Sequence, residues 1–148
     1  MEAAVGIDTM GRVTVTALIE NLEDLTLADN GKLAGADIRR IEVSDALVDT
    51  GASTLSMPIS MIQKLGLKLH RKRRTMTAGG AREIGVFSGV RVTIQDRDCI
   101  VEVNELPDGC PVLIGQIPLE AMDWVVDPNR QRLIGNPAHG GVWTTEQY

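Results

Sequence analysis

The apolar run Ala46-Leu47-Val48 ends on a carboxylate, Asp49, and the chain then turns at once through Thr50 and Gly51. A short apolar run bounded by glycine reads as a buried strand. A charge delivered to the end of such a strand costs free energy unless something pairs with it. The fold must therefore bring a partner to this point. A second carboxylate is one suitable partner, because two acids a few ångströms apart cannot both ionise and so hold a proton between them. The ionised member can activate a water while the neutral one protonates a carbonyl. That is general acid–base hydrolysis with neither metal nor covalent intermediate.

The rest of the chain reads as a β scaffold. Residues 11–22 alternate and are rich in Val, Thr and Ile, a strand signal. Residues 23–48 contain Asn30-Gly31, among the best short hairpin signals, and predict two or three further strands. Pro58 at the first helical position and Gly66 just past the end predict one short helix, Pro58–Leu65. Polar alternation on both sides of Gly79-Gly80 predicts a long glycine-tipped hairpin over residues 67–87, and residues 89–106 a second with its turn near Asp96–Asp98. An apolar strand ending at Gly115 should lead into a short helix from about Pro118 to Met122, with Trp124 as core filler on that small helix. A last strand pair follows around residues 127–131. With no repeat or linker, residues 1–148 form a single domain, its core about residues 12–135 and an irregular tail beyond, including residues 137–148.

Composition narrows the function classes. A formal charge of −5 argues mildly against nucleic acid as the main partner. The basic run His70 to Arg74 is expected to be the solvated face of the outer hairpin; a nucleic-acid patch or a dock for acidic substrates are its alternatives. No apolar run approaches the roughly 20 residues needed to span a bilayer, and the opening residues carry no apolar signal-peptide core, so no membrane partner is expected. Cys99 and Cys110 are expected to be free thiols in a reducing cytoplasm. His70 and His139 have no Cys or His at ligand spacing, and Asp96, Asp98 and Glu102 read as loop charges, so neither metal nor other cofactor is expected.

Three segments in order carry a resemblance: LVDTGAS (Leu47–Ser53), MTAGGARE (Met76–Glu83) and VLIGQIPLEAMD (Val112–Asp123). Together they resemble the retropepsin-like aspartic proteases, over about Arg12 to Gly135. The ending VVDPNRQRLIGNPAHGG looks like that of soluble bacterial members rather than viral ones. The resemblance implies an all-β acid protease barrel with one or two short helices and a flap hairpin, working as a homodimeric aspartic endopeptidase on peptide or protein substrates. Asp49 would be one dyad member, Thr50 would bond across to the partner chain's loop, and Gly51 would let backbone approach the carboxylate. Ala52 and Ser53 would continue the loop against substrate, with the Ser53 hydroxyl on the outer oxygen of Asp49. Gly115 would pack behind that loop. Met76, Ala78, Gly79, Gly80 and Ala81 would roof an extended peptide bound by strand addition.

One Asp-Thr-Gly per chain makes the dyad a two-chain construction, since the other candidate, at Asp8, has Met10 in the glycine position. Gln116 stands where viral relatives carry arginine or asparagine, which implies a less braced dimer. Aromatic residues are scarce, so aliphatic side chains would line any subsites; Trp143 and Tyr148 are either caps on the partner or free tail. The alternative from another class is a catalytically inactive dimerisation or peptide-binding module on the same fold.

Overall fold

Strand β1 (Thr14–Asn21) follows the alternation at the start of the computed structural model, which describes residues 12–144. Asp8, Met10 and Tyr148 lie outside the described residues. Asn21 ends β1 and starts helix α1 (Leu22–Asp29): its side-chain oxygen accepts the Asp24 N–H at 3.0 Å, and its amide donates to the Leu65 carbonyl at 2.7 Å. Glu23 and Asp24 in the first turn suit the positive end of the helix dipole.

This helix replaces strands expected in residues 23–48. Asn30-Gly31 is its C-terminal cap rather than a hairpin turn: Asn30 donates to the Thr26 carbonyl at 3.1 Å, and Gly31 is left-handed at φ +72°. A left-handed residue after a helix carries the same sequence signal as a primed hairpin turn. The Asn21 cap decides between them. After a 3-10 turn, Gly35–Asp37, one strand remains in this stretch, β2 (Arg40–Val48).

Strand β3 (Leu55–Pro58) leads into α2 (Ile59–Lys64), where Pro58 is the N-cap rather than the first helical residue and Gly66 is left-handed past the end. No local side chain caps α2; Asp108 accepts the Ser60 N–H at 3.0 Å from a distant loop, and bonding to Ser60, through its side chain first and its N–H second, holds the Asp108 carboxyl below the usual range. The outer hairpin is β4 (Lys68–Thr77) and β5 (Gly80–Ile94), joined at Ala78-Gly79. Strand β6 (Arg97–Leu106) follows a turn at Gln95-Asp96. Then come β7 (Leu113–Ile114), α3 (Gln116–Ala121), β8 (Trp124–Asp127) and β9 (Arg132–Gly135). Helix α3 begins before Pro118, and Trp124 belongs to a strand.

The sheet order β1-β2-β7-β3-β6-β5 closes through β1–β5 pairing, and β4 extends from β5 outside the ring. Glu20 marks the closing seam: it opposes Arg40 on one side and Arg91 on the other, and pairs with both at 3.1 and 2.9 Å. Inside lie Ile19, Leu55, Met57, Ile62, Ile114 and Met122, all fully buried. The fold is all-β, with three short α-helices among the described residues where one or two were expected. None of the described helices is long and apolar enough to cross a membrane. Both cysteines are free thiols, and burial pushes Cys99 up to about 11.

Residues 136–144 are built into the domain rather than irregular. They contain a 3-10 turn, Pro137–His139. Buried Arg97 donates to the carbonyls of Met122, Asp123 and Gly141, and stacks 4.0 Å above Trp124. Asp123 accepts from His139, Asn136 and Thr144. Trp143 donates to its own chain's Ala121 carbonyl at 3.1 Å, so its indole N–H is engaged within the protomer.

Candidate functional site

Asp49 owes its position to a strand threaded between the two legs of its loop. The chain leaves β2 at Val48, turns through residues 49–54 and returns as β3, while β7 lies between: Ile114 pairs with Val48 in parallel and with Leu55 antiparallel. The Asp49 N–H donates to the Ile114 carbonyl at 2.9 Å, and the Asp49 carbonyl accepts the Ala52 N–H at 3.0 Å. This fixes the backbone of the carboxylate from both sides.

The opening helix turn of α3 holds the rest of the loop. A helix start leaves N–H groups without intrahelical partners. Here Gln116 donates to the Ala52 carbonyl and Ile117 to the Ser53 carbonyl, each at 2.9 Å, while the Gly115 N–H reaches Thr54 at 3.0 Å. Gly115 has no room for more: a Cβ there would stand 2.3 Å from the Thr54 oxygen and 2.7 Å from that of Ala52. Thr54, buried, ties the loop end to β6 through its hydroxyl and the Glu102 carbonyl at 3.1 Å.

The carboxylate itself is half-buried, with Thr50 and Gly51 exposed beside it. Gly51 donates its N–H to Asp49 Oδ1 at 2.9 Å, and a Cβ on Gly51 would sit 3.2 Å from that oxygen. Among the described residues this is the carboxylate's one donor, and no cation pairs with it. Ser53 does not supply a second. Its carbonyl is committed to α3, and its hydroxyl makes no bond to Asp49. The Gln116 side chain donates to Glu120 one turn along its own helix at 2.7 Å, which occupies the amide within the protomer.

A groove of about 530 Å³ opens beside the loop. Its floor includes Gly51, Ala52, Ser53 and Ile59, and its far wall Asn104 to Pro107. The hairpin contributes Arg73, Thr75, Arg82 and Ile84. Met76, Ala78, Gly79, Gly80 and Ala81 stand at the hairpin tip beyond the groove's rim, with Met76 77% exposed. Thus Gly51, Ala52 and Ser53 come together with Asp49 and the groove, while the tip residues lie apart from them within one protomer.

Several groove residues carry no separate signal in the sequence. Ser56 and Asn104 are buried polar residues lining the groove, and the Asn104 amide oxygen has no hydrogen-bond partner. Gly85 donates to the Glu105 carboxylate, and a Cβ on Gly85 would meet Phe87 at 2.9 Å. Strict alternation along β4 and β5 is the available clue to the hairpin's inner face, once its register is known.

A family model described as aspartyl protease matches residues 30–122, a span that holds the Asp49 loop, the hairpin, the groove walls and α3. Comparison with curated proteins gives no match. That span holds β2, β3, β5, β6 and β7 of the strand ring with the threaded loop and the Asp-Thr-Gly turn, while the closing strand β1 precedes it, and the chain belongs to the retropepsin-like aspartyl protease family.

Proposed function

We propose that this chain is an aspartic endopeptidase whose active form is a homodimer, with Asp49 of each copy forming the catalytic dyad. The observation that carries this reading is the state of Asp49: a half-buried residue whose carboxylate has, among the described residues, one backbone donor and no cation, on the loop whose Gly51 to Ser53 line a groove. Its open lone pairs suit a second acid approaching along a two-fold axis. Thr50, exposed next to it, would bond across to the partner's loop. Gly51 keeps the approach clear.

In this mechanism the pair holds one proton. The ionised Asp49 takes a proton from a water as its oxygen bonds to the peptide carbon, and the neutral Asp49 gives its proton to the carbonyl oxygen. The resulting gem-diol collapses as a proton passes to the amide nitrogen and the C–N bond breaks. Amine and carboxylic acid leave, and the pair again holds one proton. The hairpins would fold over the bound chain, Met76 and Ala78 to Ala81 supplying the roof. Closure of such a lid excludes water from the reacting groups and commits the substrate.

The test is hydrolysis of a mixed peptide library by concentrated protein between pH 4 and 7, read by mass spectrometry, beside Asp49→Asn. Cleavage by the parent alone, rising per chain with protein concentration and declining as alkali removes the shared proton, is expected. Equal cleavage by Asp49→Asn would overturn the mechanism. Peptides retained but left intact would make the chain a binding module instead.

A further inference from the structure

Resting on the peptidase reading of Asp49, we infer that the groove selects peptides bearing an acidic side chain, and that Arg73 and Arg82 read it. In the β4–β5 register Arg73 opposes Ile84 and Thr75 opposes Arg82. The two arginines are therefore diagonal neighbours on one face of the hairpin, within reach of a shared ligand. That face lines the groove beside Gly51 to Ser53.

The other cations of the basic run are differently placed. Arg71 forms a two-pronged pair with Glu102 at 2.6 and 3.0 Å. Lys72 lies 4.0 Å from Glu83, and Arg74 opposes Glu83 on the outer face. Neither Arg73 nor Arg82 has an ion-pair partner among the described residues. Two carboxylates border the same groove, and each is engaged. Glu83 lies at the groove's edge, 4.0 Å from the exposed Lys72, and Glu105 accepts the Gly85 N–H.

The two neighbouring guanidinium groups repel one another in the free protein and have, among the described residues, no hydrogen-bonded carboxylate between them, although Arg73 adds, behind the Arg71 bond, to the field that lowers Glu102. A carboxylate placed between them removes that repulsion and accepts their paired N–H groups in the geometry guanidinium favours. Arg73, Arg82, Glu83 and Glu105 all line the groove, so the preference rests on where the two guanidinium groups stand and not on a net positive groove.

The experiment compares peptide pairs that differ by one Glu-to-Gln exchange, scanned along the sequence. Binding to Asp49→Asn is read by fluorescence anisotropy, and cleavage by the parent as kcat/KM. At one position the Glu peptide should bind and be cut about tenfold better, a preference weakened by salt. The double variant Arg73→Gln/Arg82→Gln should lose that preference, whereas Arg74→Gln on the outer face should keep it. Equal behaviour of Glu and Gln peptides at every position overturns the inference, as does a preference that survives the double variant. Charge-blind cleavage would leave the peptidase reading intact; charge-selective binding without cleavage would do the reverse.

Discussion

Asp49 and Asp24 are the same residue type at opposite ends of a scale of satisfaction. Asp24 is buried and receives the Arg39 N–H at 2.9 Å and its guanidinium at 2.8 and 3.0 Å. The side-chain bond to Arg39, outweighing burial, holds the Asp24 carboxyl below its ordinary value. Asp123 is similar: the His139 bond lowers it most, burial opposes, and Asn136 and Thr144 add to the lowering. Asp49 has the Gly51 N–H and open space. A carboxylate saturated by fixed donors stays an anion and braces the fold. One left with free lone pairs beside a groove is available for proton transfer.

Exchanging the acids for amides should therefore give opposite results. Asp49→Asn is expected to lower peptide cleavage by about a hundredfold to ten-thousandfold, with stability to denaturant changed by less than about 0.5 kcal/mol. Retained cleavage, or a large loss of stability, would break the comparison. Gly115→Ala probes what holds Asp49 in place. Its new Cβ would press on the Ala52 and Thr54 backbone, which cannot rotate away as a side chain would. A loss of about 3 kcal/mol in urea melts is expected, together with reduced cleavage by the fraction still folded.

Asp24→Asn should do the converse, losing about 2 kcal/mol because Arg39 and its N–H lose a charged acceptor, while folded molecules cleave normally. Acid reproduces this in the parent. Because the folded Asp24 and Asp123 values are depressed, their stabilisation is complete above the ordinary aspartate value near about 4 and is lost as pH falls from there through the lower folded values. Melts taken from pH 6 down to pH 2 should show a steeper decline for the parent than for Asp24→Asn. Hydrogen exchange should show residues 136–144 loosening over the same interval.

The motif at Leu47–Ser53 is legible because its chemistry depends on side-chain type: an acid, then a residue with no Cβ, after an apolar strand. The loop's anchoring is less so. Ala52 and Ser53 hold α3 through their carbonyls, which every residue possesses, so nothing in their identity announces the role. Gly115 is readable because close approach leaves a requirement for glycine. The helix at Leu22–Asp29 reads wrongly as strand since Asn-Gly serves a cap and a hairpin equally, and the deciding contacts, Asn21 to Leu65 and Asp24 to Arg39, join residues far apart in sequence. The docked tail escapes for the same reason: Arg97 holds it through backbone carbonyls. The groove face of the hairpin requires a register, which the sequence leaves open by one residue at each turn.

The smallest expected effect separates saturation from burial. Glu102, like Asp24, has both oxygens gripped by one arginine, here Arg71, though without the backbone N–H that gives Asp24 a third donor; that side-chain bond lowers its carboxyl ahead of the opposing effect of burial. Its side chain, however, is 41% exposed and that of Arg71 45%. Water can replace either partner, so the pair gains little over the solvated ions. Glu102→Gln should therefore cost under about 1 kcal/mol in denaturant melts, against the larger loss at Asp24. A loss equal to that of Asp24→Asn would mean that an arginine pair stabilises whatever its exposure, and Asp49 would then need a reason other than its open lone pairs for standing apart.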